Sequence, residues 1–304
     1  MVPVYPMKPL LVIGASGQLA RSLAQEAERR GIFLLCRGRE SFDAADPHQR
    51  EALLAALDPA AVINAAAYTA VDRAEDEPEA AFLLNAEIPA AFAALSARRG
   101  IPFFHVSTDY VFDGTKGAPY VETDPTHPRS VYGASKRAGE EKVLALYPEA
   151  VILRTAWVYS AFGRNFVRTM LGLAAERPEL RVVADQRGNP TAAEDLAALI
   201  LDLAALGLRG EPLAGGIYHA AGRTEASWHE FATAIVRLYA EHTGRPAPPV
   251  QPIATADWPT RAQRPADSRL DCAKLRAATG LSLPGWPESL PRIVRALLAA
   301  SANG

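Results

Sequence analysis

Short apolar runs and longer stretches with apolar residues at helical spacing take turns along the first half of this chain. Leu10 to Ile13, Phe33 to Cys36, Ala61 to Ile63, Phe103 to Ser107 and Val151 to Arg154 are the short runs. Each is too short for a helix and too continuously apolar for a strand with one wet face, so they predict buried strands. Between them Leu19, Leu23 and Ala27 recur at helical spacing, as do Leu53, Leu54 and Leu57, and then Phe82, Phe92 and Leu95. Strand and helix alternating in this way predict an α/β fold: a doubly wound parallel sheet covered on both faces, whose ligands sit beyond the C-terminal ends of the strands.

Past about Trp157 the rhythm changes. Helices are expected over 165–176, 192–206 and 228–239, with strands near Val182 and over 217–220. Pro246, Pro248, Pro249 and Pro252 predict an extended crossing, and Pro287 opens a last helix that ends near Ala300. The division this predicts is a nucleotide-binding domain over 1–157, with later segments such as 182–220 returning to it, and a smaller, mainly substrate-binding α/β lobe over 158–304. No internal repeat is evident.

Composition narrows the function more than the fold. The 304 residues carry a net charge of −2, without the Lys and Arg excess that nucleic acid or an anionic membrane surface calls for. The expected partner is a small soluble ligand. Two cysteines, Cys36 and Cys272, make no disulfide framework, and the six histidines show no metal-ligand spacing, so no metal is expected. Met1 to Pro9 holds no apolar block long enough for a signal peptide, and no uninterrupted apolar run approaches a bilayer span. A cytoplasmic location is the expectation.

Two clusters carry the chemistry. Gly14-Ala15-Ser16-Gly17-Gln18-Leu19-Ala20 follows the first predicted strand and opens the first helix. Gly14 permits the tight turn, Gly17 lets backbone approach a pyrophosphate, Ala20 lets helix and strand pack closely, and the free amides of the helix end face the phosphates. Arg37 and Arg39 close the second strand, where an arginine accommodates the 2′-phosphate of NADP and an acid would bind the ribose of NAD. NADPH is favoured and NADH stays admissible, since Asp43 is close enough in sequence to serve the adenosine side.

The second cluster is Tyr132 and Lys136, four residues apart and therefore on one helix face. An ammonium there lowers a phenol pKa toward the working pH and holds the nicotinamide ribose, so Tyr132 is the candidate general acid. Thr108, closing the strand from Phe103, is expected to donate a hydrogen bond to the same carbonyl oxygen. Hydride from one cluster and a proton from the other describe a carbonyl reductase.

Longer runs in the same order sharpen this. Gly14 to Leu19, Val62 to Asp72 with Ala74 to Pro78, Ser107 to Gly114, Tyr132-Gly133 with Lys136, Arg154 to Tyr159, Asn165-Phe166, Asp185 to Thr191, Arg264-Pro265 and Ser268 to Leu270 together resemble the extended short-chain dehydrogenase/reductases, and within them the dTDP-4-dehydrorhamnose reductases. The likeness covers nearly the whole length and implies a Rossmann-like sheet and reduction of the C4 ketone of a dTDP-sugar, the last step toward dTDP-L-rhamnose. By resemblance Ser16, Gly17, Gln18 and Leu19 line the cofactor diphosphate, Asp43 and Ala44 the adenosine, and Ala65, Ala66, Ala67 and Thr69 the strand end beneath it. Tyr132 and Lys136 are the catalytic pair, with Thr108 where many relatives have serine. Thr108 and Asp109 lie near the keto sugar, and Trp157 packs against it.

Some members of that family hold magnesium at a dimer interface through acids, one of them on the first helix. The matching place here is Ser22, which argues against that metal. Whether the chain forms a homodimer stays open. The rivals are a nucleotide-sugar epimerase or dehydratase, a non-catalytic regulatory subunit such as the β subunit of methionine adenosyltransferase, and a bare NADP sensor. The acids Asp72, Glu75, Asp76, Glu77 and Glu79 are expected to form a solvated face complementing a helix dipole. Arg264 and Arg269 are candidates for the substrate diphosphate.

Overall fold

The structure, a computed structural model, describes residues 8–302. The expectation for the leader region Met1 to Pro9 therefore falls mostly on residues outside the described ones. Five strands form in the first half: β1 (Leu10–Ile13), β2 (Leu34–Arg37), β3 (Ala61–Asn64), β4 (Phe103–Thr108) and β5 (Val151–Thr155). With the later strand Gly216–His219 they make one parallel sheet in the order Gly216–His219, β5, β4, β3, β1, β2. Strand order reverses between β1 and β3, which opens a crevice at their C-terminal ends.

Helices cover both faces, as continuous apolar strands require. On one face lie α1 (Gln18–Arg30) and the helix Ala193–Leu208, whose Leu19, Leu23, Leu196 and Ile200 pack with Leu10, Val12 and Ile63. On the other lie α2 (Pro47–Leu57), the helix Ile88–Arg99 and the helix Val131–Leu146, with Leu54, Phe92 and Val143 meeting Leu11, Ile13 and Val62. Each such side chain taken fully from water contributes roughly 1.5–3 kcal/mol, so the sheet is the rigid part of the molecule.

The helical run Pro78–Arg99 is long and apolar enough, by length and composition, to cross a membrane, although charged and polar residues interrupt it. Here 56% of that window is buried inside the protein, against the sheet and the Val131–Leu146 helix.

A separate apolar cluster organises the smaller part. Tyr159, Val167, Phe231, Ile235, Leu290 and Val294 join the helices Phe166–Glu176, Trp228–Thr243 and Trp286–Ala302. The segment 182–220 divides between the two parts. Leu180–Val183 pairs with Val250–Ile253 in a two-stranded sheet of its own, while Ala193–Leu208 and Gly216–His219 belong to the large sheet and its cover.

Candidate active site

Strand register decides which residues share the crevice. Ile13 pairs with Arg37 on one side and Asn64 on the other, Asn64 with His105, and Thr108 with Thr155. The glycine turn after β1, the Ala65 to Thr69 segment after β3, Thr108 at the end of β4 and Trp157 two residues past β5 therefore leave the sheet at the same edge.

At the nucleotide end the backbone does the work. Gly14 adopts φ +119°, a conformation side chains resist, and its amide donates to Arg37 O at 2.7 Å. A side chain there would also press on the Ala66 amide nitrogen, 3.2 Å from where its Cβ would sit. Ala15, Ser16 and Gly17 are exposed, and a Cβ on Gly17 would meet nothing within 4 Å. The first turn of α1 has no side-chain cap and no acidic residue. Free amides at the positive end of a helix dipole with open space in front form a cradle for a diphosphate.

Leu19 is buried beneath the turn, so only its backbone can serve a ligand. The Gln18 side chain is committed elsewhere: Ser160 Oγ donates to its Oε1 at 2.9 Å and its Nε2 reaches Val158 O at 3.5 Å, tying the helix start to the segment after β5. Arg37 donates to its neighbour Cys36 O, and among the described residues no carboxylate pairs with Arg37 or Arg39. Asp43 accepts the Ala45 amide at 2.8 Å and so shapes its own loop, with Ala44 half-buried against the core. Ala65 donates to Ile13 O at 3.0 Å, which holds the Ala65 to Ala67 strand exit beside the glycine turn, and Thr69 is exposed beyond it.

At the other end side chains dominate. The helix Val131–Leu146 starts at Ser130, whose hydroxyl accepts the Gly133 amide at 3.1 Å, and Glu75 accepts the Val131 amide at 2.8 Å. Tyr132, one residue inside, packs edge-on against Tyr110 at 5.7 Å between ring centres. Burial pushes its phenol up to about 12, against a hydrogen bond from the Thr108 hydroxyl group. Lys136 is fully buried and donates to Val106 O at 2.7 Å, with His105 Nε2 at 3.4 Å. Burial pushes Lys136 down to about 8, with Glu140 opposing. The groups that shift Tyr132 are thus burial, Thr108 and Asp109, and the lysine is directed at β4 rather than at the phenol.

Thr108 Oγ1 donates to Asp109 Oδ1 at 3.0 Å and accepts the Tyr110 amide at 3.2 Å. Its proton is directed at Asp109 in this structure, and the same hydroxyl lies within hydrogen-bond reach of the Tyr132 phenol. Asp109 is buried, which pushes it up to about 6 against hydrogen bonds from Ser268 and Thr108, and its Oδ2 has no protein partner. Trp157 takes φ +48° and stacks on Trp228 with ring centres 3.5 Å apart and planes within 3°. Gly188 lies so close that a Cβ there would sit 2.4 Å from the indole Cε2.

Several residues of the site carry no sequence signal of their own. Asn85, fully buried in a π-helical turn (Leu83–Glu87), accepts the Tyr68 amide at 2.8 Å and donates to Ser135 Oγ at 2.9 Å, joining the β3 exit to the Val131–Leu146 helix. Arg154 and Glu140 form a buried bidentate pair at 2.9 and 2.7 Å, and Ser107 donates to the same carboxylate at 2.5 Å. The acidic run is more than a solvated face. Asp72 pairs with Arg264, Asp76 with Arg261 and Glu77 with Tyr68, so these acids fasten the 261–264 segment and the β3 exit. Arg269 pairs with Asp267 and Glu225. Both candidate phosphate arginines are neutralised within the protein. Among the described residues no group of three or more His, Cys, Asp or Glu is arranged to hold a metal ion.

A family profile described as the RmlD substrate binding domain matches residues 7–299. The chain is 46% identical over 290 residues to a dTDP-4-dehydrorhamnose reductase of Sinorhizobium fredii, covering 95% of this chain and 97% of that protein. It is 42% identical to one from Aggregatibacter actinomycetemcomitans, over 94% of this chain and 98% of that one. Among solved structures, a dTDP-4-dehydrorhamnose reductase of Bacillus anthracis in complex with NADP superposes with TM-score 0.85 at 35% identity, over 94% of this chain and 99% of that one.

Proposed function

The chain belongs to the RmlD family of dTDP-4-dehydrorhamnose reductases, nicotinamide-dependent oxidoreductases of dTDP-L-rhamnose biosynthesis, and we propose that Tyr132 is its proton donor, with Lys136 and Thr108 as partners. The substrate is dTDP-4-dehydro-6-deoxy-L-mannose, reduced at the C4 ketone. The observation that carries this reading is the Tyr132 phenol beside Thr108 at the end of β4, one helical turn from a buried lysine.

The uncapped amides of α1, with Ser16, Gly17 and the backbone of Gln18 and Leu19, suit a dinucleotide diphosphate. Arg37, free of any acidic partner among the described residues, suits the 2′-phosphate and makes NADPH the preferred form over NADH. Asp43 and Ala44 border the adenosine, and Ala65, Ala66, Ala67 and Thr69 lie beneath it. When bound, the cofactor supplies the hydride that adds to C4.

The chain's own residues handle the charge that appears on the sugar oxygen. Tyr132, protonated at neutral pH, releases its proton to that oxygen, whose alkoxide form is the stronger base. Thr108, its own proton drawn to Asp109, holds the phenol in line. Lys136 places a positive charge one turn away, stabilises the phenolate left behind and returns a proton to it. Asp109, buried and hydrogen-bonded to Thr108, backs the sugar side of the site, and Trp157, braced from behind by Trp228, gives the sugar a flat apolar wall. In this arrangement residues up to 157, joined by Ala193–Leu208 and Gly216–His219, hold the cofactor and the rest of the chain borders the sugar nucleotide, in a cytoplasmic enzyme whose subunit state a homodimer would satisfy.

The deciding assay follows reduced-nicotinamide absorbance with enzymatically made dTDP-4-keto sugars and either cofactor. Cofactor consumed in step with dTDP-L-rhamnose formed is the expected result. Product formed without net cofactor loss would mean an epimerase, and no product at all would leave a regulatory role.

A further inference from the structure

His105 lies beneath the catalytic lysine, fully buried, with a hydrogen-bond donor placed on either side of its ring. Its Nδ1 is 2.9 Å from Asn64 Nδ2, and its Nε2 is 3.4 Å from Lys136 Nζ. Burial first, and then the Lys136 charge, hold His105 well below its ordinary pKa, so the ring is neutral. A neutral imidazole has one N–H and one lone pair, and cannot accept from two donors. The lysine ammonium can only donate, which turns the lone pair of Nε2 toward it and leaves the proton on Nδ1.

An Nδ1–H needs an acceptor, and one lies on the same side chain that now offers a donor. Asn64 Oδ1 is buried without a partner. The two ends of an asparagine amide are assigned from their hydrogen-bond network, and turning this one over satisfies Oδ1 and the ring together. Strand register brings the two side chains together, since Asn64 and His105 are direct neighbours across β3 and β4.

We infer that Asn64, His105 and Lys136 form one buried line, in which Asn64 Oδ1 accepts from His105 Nδ1–H and His105 Nε2 accepts from Lys136 Nζ, making His105 a positioning residue that keeps the lysine charged and aimed. This deepens the reading of Lys136 as the partner of Tyr132 and rests on it. Val106 O and His105 Nε2 engage two of the three ammonium protons and leave one for the reacting side. The other ionisable groups around Lys136 are Glu140 one turn along its helix, paired with Arg154 of β5, Tyr132 one turn before it, and Asp109 beyond Tyr132. With Glu140 committed to Arg154 and Ser107, His105 supplies the side-chain acceptor at the ammonium, beside the backbone acceptor Val106 O.

Two measurements test this, and only one of them needs turnover. Nitrogen-15 NMR of the histidine-labelled full chain at neutral pH, with the His105 signal identified by its loss in His105→Phe, reads the tautomer. Protonated Nδ1 with a bare Nε2 is expected; a protonated Nε2 or a doubly protonated ring overturns the inference whatever the enzyme's substrate proves to be. In the keto-sugar assay, His105→Phe shifts the alkaline limb of kcat down by about one pH unit, roughly a tenfold loss of charged lysine above its pKa, with KM held within about twofold. His105→Gln, which returns an oxygen acceptor at similar reach, moves the limb back toward wild type. A Phe profile that superimposes on wild type, or a Gln variant that recovers nothing, overturns it. Should His105→Phe fail to fold, the ring is assigned through His105→Gln and the tautomer decides.

Discussion

Two helix N-termini open onto the same sheet edge and are finished in opposite ways. The first turn of α1 has no side-chain cap, no acid and exposed residues leading into it. The first turn of the Val131–Leu146 helix is closed by Ser130 on one amide and Glu75 on another. Free amides at a helix end attract an anion from outside, whereas satisfied ones hold the side chains behind them at fixed positions. Binding and chemistry thus ask opposite things of one device. The end proposed for the diphosphate stays open and is built from backbone, and the end proposed for proton transfer is closed and built from side chains belonging to several elements.

The sharpest way to separate the two ends is Tyr132→Phe. Turnover is expected to fall by about 10³, the range for loss of a general acid, while the NADPH dissociation constant from fluorescence titration stays within about twofold. Loss of cofactor affinity in that variant would merge the ends and break the contrast. Glu140→Ala probes the closed end through stability. It strands the buried Arg154 guanidinium, and urea unfolding should show a loss of about 3–5 kcal/mol. A change below about 1 kcal/mol would mean that the pair is not part of what fixes the site.

The pH profile of kcat reads the same end without mutation. Lys136, pushed down to about 8, works as the charged form, so activity falls as pH rises through that value. Asp109, pushed up to about 6, accepts the Thr108 hydrogen bond most strongly as the carboxylate, so activity also falls as pH drops through that value. A profile flat through both limbs would remove both groups from the mechanism. The smallest effect belongs to the open end. Arg37→Ala should raise KM for NADPH about fivefold, near the 1 kcal/mol of one exposed charge-assisted contact, and leave KM for NADH unchanged. Equal losses for both cofactors would place Arg37 away from the 2′-phosphate.

How far the site can be read from residues alone follows the same division. Gly14 to Leu19 is contiguous, and its chemistry is that of its own backbone, so the open end was visible in a short stretch. Tyr132 and Lys136 were visible because helical spacing puts them on one face. Their partners were not: Asn85 lies 50 residues from Ser135, and Arg154 lies 14 from Glu140 with a change of element between. The acids from Asp72 to Glu77 looked like a solvated face because their guanidinium and phenol partners are remote in the chain or on a turn whose path sequence does not give. Arg264 and Arg269 looked like phosphate ligands for the same reason, since a positive charge in sequence does not reveal which carboxylate neutralises it.

By itself the sequence determined the alternation of strand and helix, the buried parallel sheet, the open glycine turn and the spacing of the phenol and the ammonium, because each depends on residues close together along the chain. Only the tertiary structure decided that the Thr108 proton goes to Asp109, that Lys136 rests on β4 beside His105, and that Trp157 is braced by Trp228. Those outcomes depend on strand register and on which buried group finds which partner, and a buried donor or acceptor takes its partner from whatever the fold brings within about 3 Å.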